Sequence, residues 1–508
     1  MAGKNQKGSG VWKGAAVMTV FSFATKGVGV LLRLYLSSRI GSEGMGLYQL
    51  ILSVYGLFAA LATAGLTVAV SRLSAEKPER AGNVLSASTL LGLLVSGVSA
   101  GVLFTFSGKI AATFLGDGRL SAPLRILAFS LPCMAVAACF KGRFIAERQV
   151  LCSSSASLFE QCVKFAVTAW FLTVAFGKTN DPATLCKGVV LGVTLGEASS
   201  FLYLLLAFLL LKKKECTPKT PADGVFPEVC RVVLPLGGSV AVTSVLHTVE
   251  SLLIPAAFEK FGGDRVQALA EFGVIRGMVI PLLFFPFSFL SSFVTVMIPE
   301  IARLNKPETL AERGRKVEKT VGLTLLLSIP VGGLFLFLGG AIGETFYPGK
   351  GTAEALFLLA PVTPLMYVQT ICDGLLKACD GQKYTLRYSV YNSVLRIAAV
   401  LFFIPLLGSR GYLWLLVLSN TLEFGLCFFR LERITGFRVG MRKNVLAPLA
   451  FSLLAGVAAK GVTTVLPLPS ALLSAVVGTV VYCGVVVCCS LLCCRMQKEN
   501  KPLYFSSK

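Results

Sequence analysis

Apolar runs of about 20 residues, the length a helix needs to cross a bilayer, recur along the whole chain. They alternate with short stretches of Gly, Pro, Lys, Arg and acidic residues. Fourteen such runs can be marked, at 14–37, 45–70, 84–107, 121–140, 155–176, 186–211, 229–256, 273–298, 319–340, 354–376, 387–407, 411–430, 444–466 and 470–494. The pattern predicts an all-α integral membrane protein with fourteen transmembrane helices.

Composition agrees with that solvent. The chain is 55% hydrophobic and 15% charged, with a mean hydropathy of +0.75, which lies outside the balance of a soluble globular domain. Residues 1–14 carry Lys4, Lys7 and Lys13 and lead into a full-length apolar run with no small-residue cleavage site, so the first helix is expected to stay uncleaved. Lys and Arg set the orientation. If the N-terminus is inside, the inner segments hold 31 basic residues and the outer segments 10, which places both termini in the cytoplasm by the positive-inside bias. The same bias accounts for most of the formal charge of +22. The basic residues sit in short loops and form no continuous patch, so no nucleic-acid partner is expected. Most of the fifteen cysteines fall within the spans or at their inner ends. Cys488, Cys489, Cys493 and Cys494 cluster on the last helix, but no His or carboxylate completes a ligand set, and small thiols packing in lipid explain them; no metal is expected.

The segment 212–228, with a lysine run and Pro218, Pro221 and Pro227, reads as a cytoplasmic linker between two halves. Lys77-Pro78-Glu79 after the second span answers Lys306-Pro307-Glu308 after the eighth, 229 residues on. Six spans separate the two copies, so they lie on the same side and the repeat is parallel. The expected domains are an N-terminal six-helix lobe (1–211), the linker, a C-terminal six-helix lobe (229–430), and helices 13 and 14 with a cytoplasmic tail (431–508). Two such lobes would face a central cavity. Pro235, Gly237 and Gly238 are expected to interrupt the seventh span, and Pro281 and Pro286 the eighth.

A charge at mid-span costs at least about 2.5–3.5 kcal/mol and calls for a partner or a cavity. Basic residues inside the spans are Lys26, Arg33, Arg125, Lys164, Arg276 and Arg396, and acidic ones are Glu160, Glu197, Glu250 and Glu423. Lys26 and Arg33 are two turns apart and project from one face of the first helix, with Gly27 and Gly29 expected to bring its backbone close to a neighbour. Arg276, facing them across the lobes, would complete a substrate site of Lys26, Arg33 and Arg276. Glu160 and Lys164 stand at i, i+4 and suit either an ion pair or a cavity role. His247, Glu250 and Glu423 are candidates for proton or cation coupling, or for simple packing and pairing. Arg125 and Arg396 lie near span ends, where they can snorkel. An excess of fixed cations suits an anion, since Arg grips phosphate oxygens in bidentate fashion, and an apolar cavity suits a lipid tail. Together they suggest a phosphate-bearing amphiphile.

The stretches FATKGVGVLLRLYLSSRIGSEGMGLYQL (23–50), LATAGLTVAVSRLSAE (61–76) and RGMVIPLLFFPFSFLSSFVTVMIPEIAR (276–303) resemble the polysaccharide-transporter branch of the multidrug/oligosaccharidyl-lipid/polysaccharide exporter superfamily. Within that branch they are similar to the group of stage V sporulation protein B and the lipid II flippases. The resemblance implies a V-shaped two-lobe transporter in a bacterial cell membrane. It would move an undecaprenyl-diphosphate-linked sugar to the outer leaflet by alternating access, with Lys26, Arg33 and Arg276 in the family's basic positions. It implies no cofactor, with Na⁺, H⁺ or the membrane potential as the drive. Expected partners are a lipid-linked anionic glycan, membrane lipids and cell-wall synthesis proteins, around a monomer. Some lipid II flippases carry an arginine on the second helix, whereas 45–70 here has no charge, which leaves room for a teichoic or capsular precursor. The rival expectations are a cation-coupled multidrug antiporter of the same superfamily, which would depend on an intramembrane carboxylate, and a membrane-embedded glycosyltransferase or polymerase, which would usually need a catalytic carboxylate or large loops. A scaffolding role in a cell-wall or sporulation complex is a third.

Overall fold

The computed structural model describes residues 3–175, 179, 181–211, 224–304, 309–466 and 470–499, with side chains from 19 to 491 except 289, 292–296 and 299. Most of the expected linker, Lys306-Pro307-Glu308, the tail from 500, and the thiols of Cys493 and Cys494 therefore lie outside the described residues.

All regular structure among the described residues is helical. In chain order the α-helices are α1 (Gly3–Thr63), α2 (Leu66–Glu76), α3 (Ala81–Lys109), α4 (Ser121–Ala128), α5 (Ser130–Ala146), α6 (Val150–Trp170), α7 (Pro182–Leu211), α8 (Val225–Gly262) and α9 (Arg265–Phe272). They continue as α10 (Ile280–Phe284), α11 (Phe287–Ala302), α12 (Leu310–Phe346), α13 (Thr352–Leu359), α14 (Thr363–Ala378), α15 (Gln382–Thr435), α16 (Ala447–Val465) and α17 (Ala471–Glu499).

Among the described residues, twelve helical stretches are long and apolar enough to cross a membrane. Two of them, Thr19–Glu76 and Gln382–Thr435, have 58 and 54 residues; at 1.5 Å per residue each runs roughly 80–90 Å, well over twice the ~30 Å hydrocarbon core. Both are broken. Gly41 in α1 has φ 70° and ψ −173°, and Gly408 in α15 has φ 61° and ψ −145°. Only glycine enters this region without a Cβ clash, and at Gly408 a Cβ would also lie 2.7 Å from the Phe261 ring. The breaks fall where the hydropathy pattern separates the first span from the second and the eleventh from the twelfth. Large apolar side chains stand outward along these helices, Leu210, Val465, Leu406 and Phe402 all more than 70% exposed. A chain living in water rarely leaves so much contiguous apolar surface uncovered; this is a multi-pass membrane protein.

The helices form two compact units, one of Met1–Gly277 with Ser389–Gly411, the other of Met278–Tyr388 with Tyr412–Lys508. This packing boundary differs from the expected division at 212–228, because α8, α9 and the first part of α15 belong to unit 1. The six-and-six division remains an expectation from the sequence repeat. Unit 1 is built around Leu66, Val70, Leu85, Leu131, Phe144 and Leu204, all buried, and α8 joins it through a Thr248 hydroxyl that donates to Ser53 O at 3.0 Å. Unit 2 has a core of Val317, Val321, Tyr367, Leu375, Cys427 and Leu431. There α16 and α17 are bound to α12: the Tyr482 hydroxyl donates to Pro330 O at 2.8 Å and lies 2.6 Å from Ser452 Oγ. In lipid such packing and hydrogen bonding, rather than hydrophobic burial, hold helices together.

Two sequence expectations are corrected here. Pro235 does not interrupt the seventh span, since α8 runs helically through both Pro235 and Pro255; a proline removes one backbone donor, a loss that a membrane helix can absorb locally. The eighth span is interrupted, with a π-helical turn over Gly273–Val279 and a break at Phe285–Pro286 between α10 and α11. Gly27 and Gly29 do not mark a close approach, because a Cβ on either would meet nothing within 4 Å.

Candidate functional site

Lys26 and Arg33 lie on α1, about 10 Å apart along the axis, Lys26 exposed and Arg33 half-buried. Below them Tyr35 packs on α6, its ring edge-on to Phe165 at 5.9 Å and its hydroxyl donating to Ala169 O at 3.4 Å. Among the described residues Arg33 has no carboxylate within ion-pair distance. Its charge does reach the buried Tyr48 hydroxyl, which also feels Lys164.

Lys164 belongs to a four-residue cluster across α5, α6 and α7. Its Nζ lies 3.5 Å from Glu160 and 3.8 Å from Glu197, and Lys141 Nζ lies 3.6 Å from Glu160. The expected i, i+4 pair thus forms, enlarged by one residue from each flanking helix. Glycines on α7 allow the approach. A Cβ at Gly192 would lie 2.0 Å from Thr168 Oγ1, and one at Gly196 would lie 3.1 Å from Lys164 Cβ, so α7 can lie flat against α6 and carry Glu197 to the lysine. Two carboxylates and two ammoniums balance, which is what burial of so many charges demands.

The second cluster centres on Glu250 of α8, whose side chain is fully buried. Arg276, in the π-helical turn, donates through Nη2 to Glu250 Oε1 at 2.7 Å. Nη2 of Arg396 on α15 lies 2.7 Å from the same oxygen. His247 Nδ1 is 3.8 Å from the other oxygen, one helical turn back. Glu250 Oε2 and Arg396 Nε have no hydrogen-bond partner among the described residues. The turn that holds Arg276 is pressed onto α1. A Cβ at Gly273 would lie 2.2 Å from Ser42 O, and one at Gly46 would lie 2.1 Å from Leu269 O. Two guanidiniums against one carboxylate leave a fixed excess of one positive charge within unit 1. Both guanidiniums meet the same oxygen, so the charge of Glu250 is already shared by two tethered cations through Oε1.

The structure thus joins Arg276 to Glu250 and His247, and Glu160 to Lys164. Glu423 is half-buried on α15 in unit 2. Arg125, read as a snorkelling residue, donates through Nε to Ser107 Oγ at 2.9 Å. Sequence reasoning left Lys141, Glu197 and Arg396 out of the site. The signal for Glu197 and Arg396 was there, since each is a charge within an apolar run, but their partners lie on other helices. Among the described residues no group of three or more His, Cys, Asp or Glu could hold a metal ion.

A surface cluster closes the loop before α4. Asp117 accepts Arg119 N–H at 2.9 Å, and the Arg119 guanidinium bridges Asp117 at 2.8 Å and Asp181 at 2.7 Å. Burial alone would raise the Asp117 carboxyl, but its hydrogen bonds from Arg119 hold it below the ordinary carboxylate range. Hydrogen bonds from Thr184, against a smaller effect of burial, do the same for Asp181.

The chain is similar to stage V sporulation protein B of Bacillus subtilis (strain 168), at 25% identity over 413 residues that cover 78% of this chain and 79% of that protein. It is similar to the lipid II flippase MurJ of the same organism at 22% identity over 491 residues, covering 89% of this chain and 88% of the relative. Among solved structures, the lipid II flippase MurJ in an inward closed conformation superposes with a TM-score of 0.70 at 14% identity, covering 92% of this chain and 98% of that one; that likeness speaks to the fold. The sequence profile of the polysaccharide biosynthesis protein family matches residues 11–305, more than half of the 508 residues, and this chain belongs to that family.

Proposed function

We propose that this protein is a flippase that moves an undecaprenyl-diphosphate-linked sugar, lipid II or a related cell-wall, spore-cortex or polysaccharide precursor, from the inner to the outer leaflet by alternating access. The observation that carries the proposal is the pair of cations on one face of α1, Lys26 and Arg33, within the stretch that matches the family. Arg33 makes no ion pair among the described residues and so keeps its charge available for a diphosphate. Arg276 contributes through the Glu250 cluster, whose net positive charge favours an anion over a drug cation. The relative named as a lipid II flippase supports the same substrate class. No bond is made or broken. An inside-negative potential would favour outward movement of an anion by about 2.3 kcal/mol per charge per 100 mV.

The test is rescue of a bacterial strain depleted of its lipid II flippase, comparing wild type with Lys26→Ala, Arg33→Ala and Arg276→Ala at matched membrane abundance. Wild type should restore growth, and each variant should do so poorly. Equal rescue by all three variants would sink the anion site; failure of wild type would move the substrate to another lipid-linked glycan.

A further inference from the structure

Beyond Gly408, α15 carries an apolar-to-basic gradient on one face. Leu422, Leu426, Phe429 and Arg433 recur at helical spacing, flanked by Gly425 and Arg430, and they line a groove of about 780 Å³ within unit 2. Arg430 is fixed at the basic end: its guanidinium carbon sits 3.6 Å from the centre of the Tyr384 ring, a stacked cation–π arrangement. Among the described residues neither Arg430 nor Arg433 forms an ion pair, and the buried Arg430 Nε has no acceptor. Glu432 also lines the groove but neutralises neither arginine. The apolar wall extends eight residues from Arg430 to Leu422, or about 12 Å of helix, with Leu422 and Phe429 exposed as lipid-facing residues are. By the Lys/Arg bias this end of α15 lies at the cytoplasmic headgroup layer.

We propose that this groove holds an anionic phospholipid of the bilayer, with its phosphate on Arg430 and Arg433 and an acyl chain along Leu426 and Leu422. The inference rests on the membrane orientation read from the basic residues and is independent of the transported substrate. Stacking on Tyr384 leaves the guanidinium edge, with its N–H donors, free to meet phosphate oxygens. A zwitterionic lipid offers the same phosphate but brings its own ammonium towards two arginines, so an anionic headgroup is preferred. Gly425 keeps the groove open: a Cβ there would meet only the Phe429 ring, at 3.9 Å.

The test uses the full chain purified in detergent, with phosphatidylglycerol and phosphatidylcholine titrated separately and bound lipid counted by native mass spectrometry. Phosphatidylglycerol should bind about tenfold more tightly than phosphatidylcholine. Arg430→Gln and Arg433→Gln should each cost about tenfold, and Gly425→Leu should lose the lipid by filling the groove. On the wild-type chain, phosphatidylglycerol with a photoreactive acyl chain should label residues 421–433 or 384–388, which needs no variant to fold. Unchanged binding by the variants, or labelling elsewhere, overturns the proposal. Release of the lipid by millimolar inorganic phosphate would show that only an anion is read. Displacement by an equal concentration of a polyprenyl diphosphate would assign the groove to the transported class instead.

Discussion

Glu250→Gln tests the cluster in unit 1 that carries two guanidiniums on one carboxylate. The substitution keeps the shape of the side chain but removes the one carboxylate shared by Arg276 and Arg396, each 2.7 Å from Oε1. Two guanidiniums are then left facing a neutral amide that is fully buried in the wild type. Breaking a buried ion pair by removing one partner costs about 3–5 kcal/mol, and mutual repulsion of the arginines adds to it. At roughly 2 °C per kcal/mol for a large domain, the unfolding midpoint in detergent should fall by roughly 6–10 °C, read by differential scanning fluorimetry. The double variant Glu250→Gln/Arg396→Gln removes one orphaned cation along with the anion, and should recover at least half of the loss. The coupling from the double-mutant cycle should reach about 1.5 kcal/mol or more. A midpoint within about 2 °C of wild type for Glu250→Gln, or additive effects in the double variant, would refute the view that this cluster is a structural charge lock.

Helix contact and pH give two further predictions. Gly192→Ala should destabilise the α6–α7 pair and Thr168→Ala should partly rescue it, because the clash is with a side-chain hydroxyl at 2.0 Å; Gly273→Ala should admit no such rescue, because its clash is with the Ser42 carbonyl at 2.2 Å. Midpoints of the single and double variants in one detergent decide it. Asp117 is held below its ordinary range, so its contribution is fully present above the unfolded value of about 3.9 and is lost as pH falls through the lower folded value. Asp117→Asn should therefore lower the midpoint slightly at pH 7, by about 1 kcal/mol or less for so exposed a partner. The gap should close as pH falls through that lower folded value; one that persisted in strong acid would mean the carboxylate charge is not what Asp117 contributes.

That this chain lives in a bilayer, that it is all α, and which side chains are charged where lipid should be are all legible in the amino-acid sequence. Those properties follow from the length and polarity of contiguous runs, which solvent reads one helix at a time. The sequence also put Glu160 and Lys164 on one helix face, four residues apart, while leaving an ion pair and a cavity role both open. Packing in three dimensions adds that Lys141 and Glu197 complete that pair, that Arg396 shares Glu250 with Arg276, and that α8 packs with the first helices. Each of these joins residues on different helices; the approach of α7 to α6 that brings Glu197 in depends on Gly192 and Gly196, and the seat of the Arg276 turn on α1 depends on Gly273, close contacts that no run of polarity encodes. The same reason explains Gly27 and Gly29, which look like packing positions in sequence and face open space in the fold: a missing Cβ permits a contact, and the neighbouring helix decides whether one is made.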